Sequence, residues 1–378
     1  GVRVCRVGML LSRGPLRRGT AALQRCAPLA RFYSTPIQND AQQKPAVSIV
    51  FGQEPPSTLP DPFSVVASQL RPLETSLKDL VGSDHPVLTR VAQHFFELVG
   101  KRFRPTIVLL AASAAAGGEP ANARQVRLAE ITEMIHAASL LHDDVIDLAD
   151  TRRGAKAAHK IYGNKVAVLA GDFLLARASV LLARLQDVKV VELLATVIEE
   201  MVQGEMMQVK AMPEELLEFD HYLSKTYRKT AALMALSSEA AALLGDHPPE
   251  VQAALQAYGR HLGIAYQLVD DYLDFVGSSA SLGKPALSDM DQGLATAPVL
   301  FALEEFPQIG DIVKRRFGDE GDAALVGDLV SQSDGLRRTQ ELATAHARKA
   351  AEALGVLAPS TARDALLRLC FDVLNRQA

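Results

Sequence analysis

LLHDDVIDLADTRRG, Leu140–Gly154, sets Asp143, Asp144 and Asp147 at the end of an apolar run and follows them with Asp150, Arg152 and Arg153. Residues i and i+4 of a helix share a face, so Asp143 and Asp147 stand together with Asp144 alongside. Two carboxylates about 4 Å apart repel by about 4 kcal/mol at an effective dielectric of about 20. The preceding MIHAASLLH, Met134–His142, is apolar enough to be buried, where water cannot fully relieve that repulsion. A cation can. All-oxygen aspartate ligation suits a hard ion, most simply Mg²⁺ held partly by water and partly by a phosphate.

The arrangement returns in YQLVDDYLDF, Tyr266–Phe275. Asp270 and Asp274 are again i, i+4, with Asp271 alongside and Leu268, Val269, Leu273 and Phe275 around them. One such triplet reads equally well as a solvated helix end; two, both set in apolar helices, favour a metal site. Basic residues alternate with them. GKRFRP, Gly100–Pro105, holds Lys101, Arg102 and Arg104; Arg152 and Arg153 follow the first triplet; Lys229 and Thr230 lie in YRKTAALM, and Lys284 in LGKP. A cation bridging carboxylate to phosphate, with Arg and Lys on the remaining oxygens, makes a polyphosphate site. The ordinary nucleotide cradles, G-x-x-x-x-G-K-[ST] and G-x-G-x-x-G, are absent. A rival is the Glu-x-x-His pattern of di-iron bundles, at Glu133–His136 and more poorly at Glu218–His221. It leaves the aspartate triplets and the cations unexplained. His136 lies two turns before Asp143 on about the same face.

The chain has 378 residues, 48% hydrophobic and 5% aromatic, with no Trp. Its Ala and Leu favour helix, helical patterns follow one another from Asp61 to the end, and no strand alternation of convincing length occurs. GGEP (117–120), GDHPP (245–249) and GSSASLGKP (277–285) read as turns or loops. The expected fold is all-α, a single large helical bundle around a deep central cavity. No uninterrupted apolar run reaches the length of a membrane span.

Residues 1–39 hold seven arginines and no acid, so removing that +7 from the whole-chain −4 leaves −11 for residues 40–378. An acidic body does not suit nucleic-acid binding. The basic, Ser- and Ala-containing start reads as a mitochondrial transit peptide over residues 1–33, with cleavage near Tyr33–Ser34 in ARFYST. Residues 34–60, rich in Pro, Gln and Ser, read as a linker, and 61–378 as the folded domain, with Asp61 capping its first helix and Pro62 at the first position. Cys5 and Cys26 fall in the leader and only Cys370 in the domain, which makes neither a disulfide framework nor a zinc cluster.

GKRFRP, LLHDDVIDLADTRRG, LAGDFLLARA, GEMMQ, KTAALM, LGIAYQLVDDYLDF and LGKPALSDMDQGLATAPVLFA, in this order, resemble the motifs of trans-polyprenyl diphosphate synthases, most closely the long-chain mitochondrial type that makes the ubiquinone side chain. The resemblance runs from about Asp61 to the C-terminus; Val99 departs from it where many members have Gly. It implies two acidic motifs facing each other across the mouth of the cavity. Mg²⁺, three ions with bound diphosphate, would sit on Asp143, Asp147 and Asp270, with Asp144, Asp271 and Asp274 supporting. Arg152, Lys229, Thr230, Gln267 and Lys284 would hold the allylic diphosphate, farnesyl or geranylgeranyl. Lys101, Arg104, His136 and Arg153 would hold isopentenyl diphosphate. Asp143, Asp147, Asp270 and Lys229 would be the catalytic set. The expected activity is head-to-tail condensation to a long polyprenyl diphosphate. A geranylgeranyl diphosphate synthase and a silent partner subunit are the alternatives, and intact acidic motifs speak against the second. A homodimer or hetero-oligomer, peripheral to the inner membrane in the mitochondrial matrix, completes the expectation.

Product length should be set on the helix before the first triplet. At about 1.5 Å per residue, Ala138 lies roughly 7.5 Å from Asp143 along the axis, where a short tail would end. Small Ala138 and Ser139 leave that point open, and Ile135, Ile131 and Leu128 are placed to line a longer channel.

Overall fold

The helices start where the local chemistry satisfies their first free N–H groups. Asp61 Oδ2 accepts from Ser64 N at 2.7 Å, with Pro62 at the first position. Asn122 Oδ1 accepts from Arg124 N at 2.9 Å and Gln125 N at 3.0 Å, while Gln125 Oε1 accepts from Asn122 N at 2.8 Å, a reciprocal cap. The computed structural model describes residues 49–97, 100, 102–152, 154–277 and 287–376. The chain divides into units of residues 1–42 and 43–378, and the elements below belong to the second. The leader 1–33, Lys101, Arg153 and Lys284 lie outside the described residues.

The longer helices are α1 (Ala67–Leu80), α2 (Pro86–Glu97), α3 (Phe103–Ala115), α4 (Ala123–Ile146), α5 (Asn164–Arg184), α6 (Val188–Lys210), α7 (Phe219–Thr226), α8 (Ala232–Leu243), α9 (Pro249–Val276), α10 (Ala297–Glu305), α11 (Asp322–Gln332), α12 (Gly335–Ala353) and α13 (Thr361–Asn375). The fold is all-α, as its composition implies. Among the described residues the extended structure is a hairpin of β1 (Thr151–Arg152) and β2 (Ala155–Lys156), pairing Thr151 with Lys156 and Arg152 with Ala155. Two residues per strand are too few to show a period-two pattern, so the sequence reading missed it.

α9 is the central post, packed on α8, α12 and α13. Tyr258 is fully buried and its hydroxyl donates to Leu366 O at 2.9 Å, tying α9 to α13. α8 is Ala-rich and buried on most sides, so it fits among α3, α4, α6 and α9. Close approach is built in. A Cβ on Gly263 would lie 2.6 Å from Ala231 Cα, so α9 reaches the start of α8 only with Gly there. Both acidic motifs ride at the C-terminal ends of long helices, α4 and α9, whose other faces are core.

Two features are not legible in the sequence. Residues 49–60 lie in the stretch read as linker, yet Ile49 and Leu59 are buried, Phe51 meets the Tyr272 ring edge-on at 5.2 Å, and Arg348 Nε donates to Ile49 O at 2.9 Å. Its few apolar residues dock it. α5 is long and apolar enough to cross a membrane by length and composition. Lys165, Asp172 and Arg177 interrupt its apolar run, which is why an uninterrupted-run test passes over it. Ala167, Ala170, Leu174, Ala178 and Leu182 bury one side of it, with α4 as its main neighbour.

Candidate active site

The six aspartates divide into two groups. Asp271 is 1% exposed and both its oxygens are taken: Gln267 Nε2 donates at 2.9 Å and Tyr222 Oη at 2.5 Å. Burial, helped by the charge of Asp289, raises its carboxyl to about 7. Asp274, also 1% exposed, accepts from Ser288 Oγ at 2.9 Å and from Asp289 N at 3.2 Å, and so ties α9 to residues 288 and 289. Asp144, 1% exposed, accepts from Arg152 Nε at 2.9 Å and from its Nη2. These three carboxylates are held by protein donors. Asp143, Asp147 and Asp270 keep access to solvent.

Asp143 carries the strained charge. Burial raises its carboxyl to about 6; Lys229 and Arg152 oppose that rise, and Glu205 and Asp147 add to it. Asp147 is raised by burial as well. The Oδ2 atom of Asp144 is buried with no hydrogen-bond partner. Two carboxylates pushed toward protonation and an orphaned carboxylate oxygen fit a cation held there. Among the described residues no three His, Cys, Asp or Glu side chains converge as a metal cage by themselves. The donor set therefore suits a hard ion that takes further oxygens from water and from phosphate.

Lys229 links the two motifs. It sits in a π-helical turn, Tyr227–Ala231, between α7 and α8. Its Nζ pairs with Glu205 Oε2 at 2.5 Å and donates to Gln208 Oε1 at 3.0 Å. Thr230 Oγ1 donates to Gln267 Oε1 at 2.9 Å, so Gln267 is held at both ends, between Thr230 and Asp271. Gln267 thus bridges Thr230 and Asp271 at the wall of a cavity. A polar cavity of 140 Å³ is lined by Lys229, Thr230, Gln267 and Asp271, with Lys225 in its wall. Lys229 and Asp143 also line an apolar cavity of 280 Å³ that passes Ser139, Ile135, Leu175, Ile198 and Met201. Ala138 is fully buried and stands outside that lining, so of the two small residues expected at the open point it is Ser139 that borders the cavity.

A third cavity, 420 Å³, is lined by Arg104, His136, Phe103, Tyr266 and Arg376. Arg104 Nη1 lies 3.0 Å from His136 Nε2. Beside them Arg102, in a left-handed conformation with φ of 51°, donates Nη1–H to buried Glu133 Oε1 at 2.9 Å and Nη2–H to Phe96 O at 2.7 Å. Glu133 and His136 are thus both engaged by arginines, which removes the di-iron reading. Arg104, His136, Arg152, Lys229, Thr230 and Gln267 all fall on these cavities or on the aspartates beside them. Glu205, Gln208, Tyr222 and Arg376 were missed. GEMMQ, Gly204–Gln208, was the available signal for the first two.

The sequence from residue 85 to 330 matches the polyprenyl synthetase family model. Solanesyl-diphosphate synthase 1, mitochondrial, of Oryza sativa subsp. japonica is 46% identical over 84% of this chain and 78% of its own. A probable hexaprenyl pyrophosphate synthase, mitochondrial, of Neurospora crassa is 42% identical over 91% of this chain and 90% of its own. Among solved structures, a polyprenyl synthase of Caulobacter crescentus CB15 complexed with calcium and isoprenyl diphosphate superposes with a TM-score of 0.78 at 34% identity, covering 84% of this chain and 97% of that one. A family model matched over more than half of the chain, with relatives above 40% identity along most of it, makes the conclusion plain: the chain belongs to the polyprenyl synthetase family.

Proposed function

We propose that this chain is an Mg²⁺-dependent prenyltransferase that extends an allylic diphosphate, farnesyl or geranylgeranyl, with isopentenyl diphosphate to a long polyprenyl diphosphate. The observation that carries the reading is the 280 Å³ apolar cavity opening beside Asp143 and Lys229. A hydrocarbon tail fits there only if its diphosphate lies among the aspartates and cations.

Asp143, Asp147 and Asp270 would hold the ions, which supply positive charge to the departing diphosphate. The chain's own residues do the rest. Lys229 and Arg152 stand next to Asp143 and stabilise negative charge as it develops on the leaving oxygen. Arg104 and His136 orient isopentenyl diphosphate in the 420 Å³ cavity, so that its double bond meets the allylic carbon. Phe103 and Tyr266, rings 5.4 Å apart, wall that cavity and exclude water from the cation. The departing diphosphate takes the proton released on closing the new double bond, so no side-chain base is needed. Lys101, Arg153 and Lys284 complete the two diphosphate clamps in this reading.

Relatives named as solanesyl and hexaprenyl synthases favour a long-chain product over geranylgeranyl diphosphate. Relatives named as mitochondrial support a mitochondrial address; the leader at 1–33, the matrix, the inner-membrane surface and the ubiquinone side chain belong to the same proposal. A homodimer or hetero-oligomer is the assembly proposed. The test is incorporation of labelled isopentenyl diphosphate by the purified chain. Asp143→Asn and Asp270→Asn should each lower turnover by at least about a hundredfold with the fold intact, and EDTA should abolish it until Mg²⁺ is restored. Near-normal turnover in either folded variant, or indifference to EDTA, rules the reading out.

A further inference from the structure

Arg376 follows the last residue of α13, and its side chain crosses to α9. Its Nη2–H groups donate to the Tyr266 carbonyl oxygen at 3.1 Å and to Asp270 Oδ1, and its guanidinium lies 3.7 Å from the centroid of the Tyr266 ring. The Arg376 side chain is only 12% exposed, against 43% for Asp270, and Arg376 Nε is buried without a hydrogen-bond partner. Neither side chain has that company by accident of sequence: they stand 106 positions apart. Asp270 is also the carboxylate of the second motif that the protein does not enclose, since Asp271 and Asp274 are each 1% exposed and braced. The guanidinium therefore sits on one of the two oxygens that Asp270 could offer a metal. The same residue lines the 420 Å³ cavity beside Arg104 and His136.

We propose that Arg376 is an intramolecular counter-cation of Asp270 that a divalent ion replaces, so that metal loading frees the C-terminal arm. The proposal rests on the reading of Asp270 as a metal ligand. A guanidinium N–H and a close-bound ion compete for the same carboxylate, and the ion brings twice the charge at a shorter distance. Until it arrives, Arg376 neutralises Asp270 and aims its carboxylate. Once displaced, the guanidinium keeps only the Tyr266 carbonyl and ring, at the wall of the second cavity. Arg376 is thus a positioning residue, acting through Asp270. If it were a plain anchor for the C-terminus, removing it would loosen the arm and leave metal affinity unchanged or weaker.

The experiment uses the full chain, stripped of metal, as wild type, Arg376→Gln, Arg376→Lys and Asp270→Asn. Mn²⁺ alone is the probe, with the free ion counted by its paramagnetic resonance signal. Arg376→Gln should bind Mn²⁺ about three- to tenfold more tightly than wild type, the range expected for removing a competing, partly exposed ion pair. Arg376→Lys should fall between them. Amide exchange of the wild-type segment 369–376 should quicken when Mg²⁺ is added. Equal or weaker Mn²⁺ binding by Arg376→Gln overturns the proposal, and so does unchanged exchange of that segment. Asp270→Asn separates the failures. If it binds as many ions as wild type, the metal reading of Asp270 falls and the proposal with it. If it loses an ion while Arg376→Gln matches wild type, only the exchange of cations is wrong.

Discussion

Ser139 and Ala138 are neighbours in sequence and serve different masters. At about 100° per residue, Ser139 lies about 40° around α4 from Asp143, whereas Ala138 lies about 140° away. Ser139 therefore borders the cavity that starts at Asp143, and Ala138 is fully buried in the core. Counting rise alone, without rotation, does not separate the two. Ser139→Phe should put a ring across the channel and shorten the product sharply while the first condensation survives; chromatography of the prenyl alcohols after phosphatase treatment reads this. A folded, active Ser139→Phe enzyme with full-length product would show that the cavity does not hold the tail. The aspartates tell a similar story. Their spacing announced the site, but which of them face a ligand depended on Tyr222 and Gln267 for Asp271, and on Ser288 for Asp274. Spacing along one helix carries no information about such partners.

The element that matters most was the least legible. Residues 227–231 read as ordinary helix, yet they form a π turn that carries Lys229 and Thr230 inward. A shift in hydrogen-bond register leaves apolar periodicity almost untouched, so sequence alone does not report it. Gly204 of α6 lies against that turn: a Cβ there would stand 2.8 Å from Lys229 Cγ and 3.1 Å from Lys229 N. Gly204→Val should cost about 1–3 kcal/mol in urea unfolding and raise the Michaelis constant for the allylic substrate more than that for isopentenyl diphosphate. An equal rise for both would detach the π turn from the allylic subsite. α9 and α12 offer a second element-scale test. His261 Nδ1 and His346 Nδ1 lie 3.0 Å apart, and burial lowers His261 to about 4 and His346 to about 3. The unfolded chain protonates near pH 6.5 while the folded pair stays neutral, so the stability this pair permits is complete above 6.5 and is lost as pH falls toward 4. Between pH 7 and pH 4.5, His346→Gln should lose about 1–3 kcal/mol less stability than wild type in urea titrations. Parallel losses would mean that the histidines titrate normally.

At the scale of the molecule, the caps, the turns at 117–120 and 245–249, and the all-α architecture were legible because they are local. Asp61 and the apolar faces declare themselves within a few residues. Contacts made across long stretches of chain were not. Ile49 is held by Arg348, 299 residues away, and Asp270 by Arg376, 106 away. The folded body brings three cavities round one pair of acidic helix ends, and the proposed activity depends on their joint use: one for a diphosphate beside Lys229, one for the second substrate, one for the tail. The decisive measurement is the chain length of the product made by the purified protein from farnesyl diphosphate, excess isopentenyl diphosphate and Mg²⁺. A polyprenyl diphosphate well beyond geranylgeranyl is the expected result. Synthesis that stops at geranylgeranyl diphosphate, or no condensation by the folded chain, would contradict it.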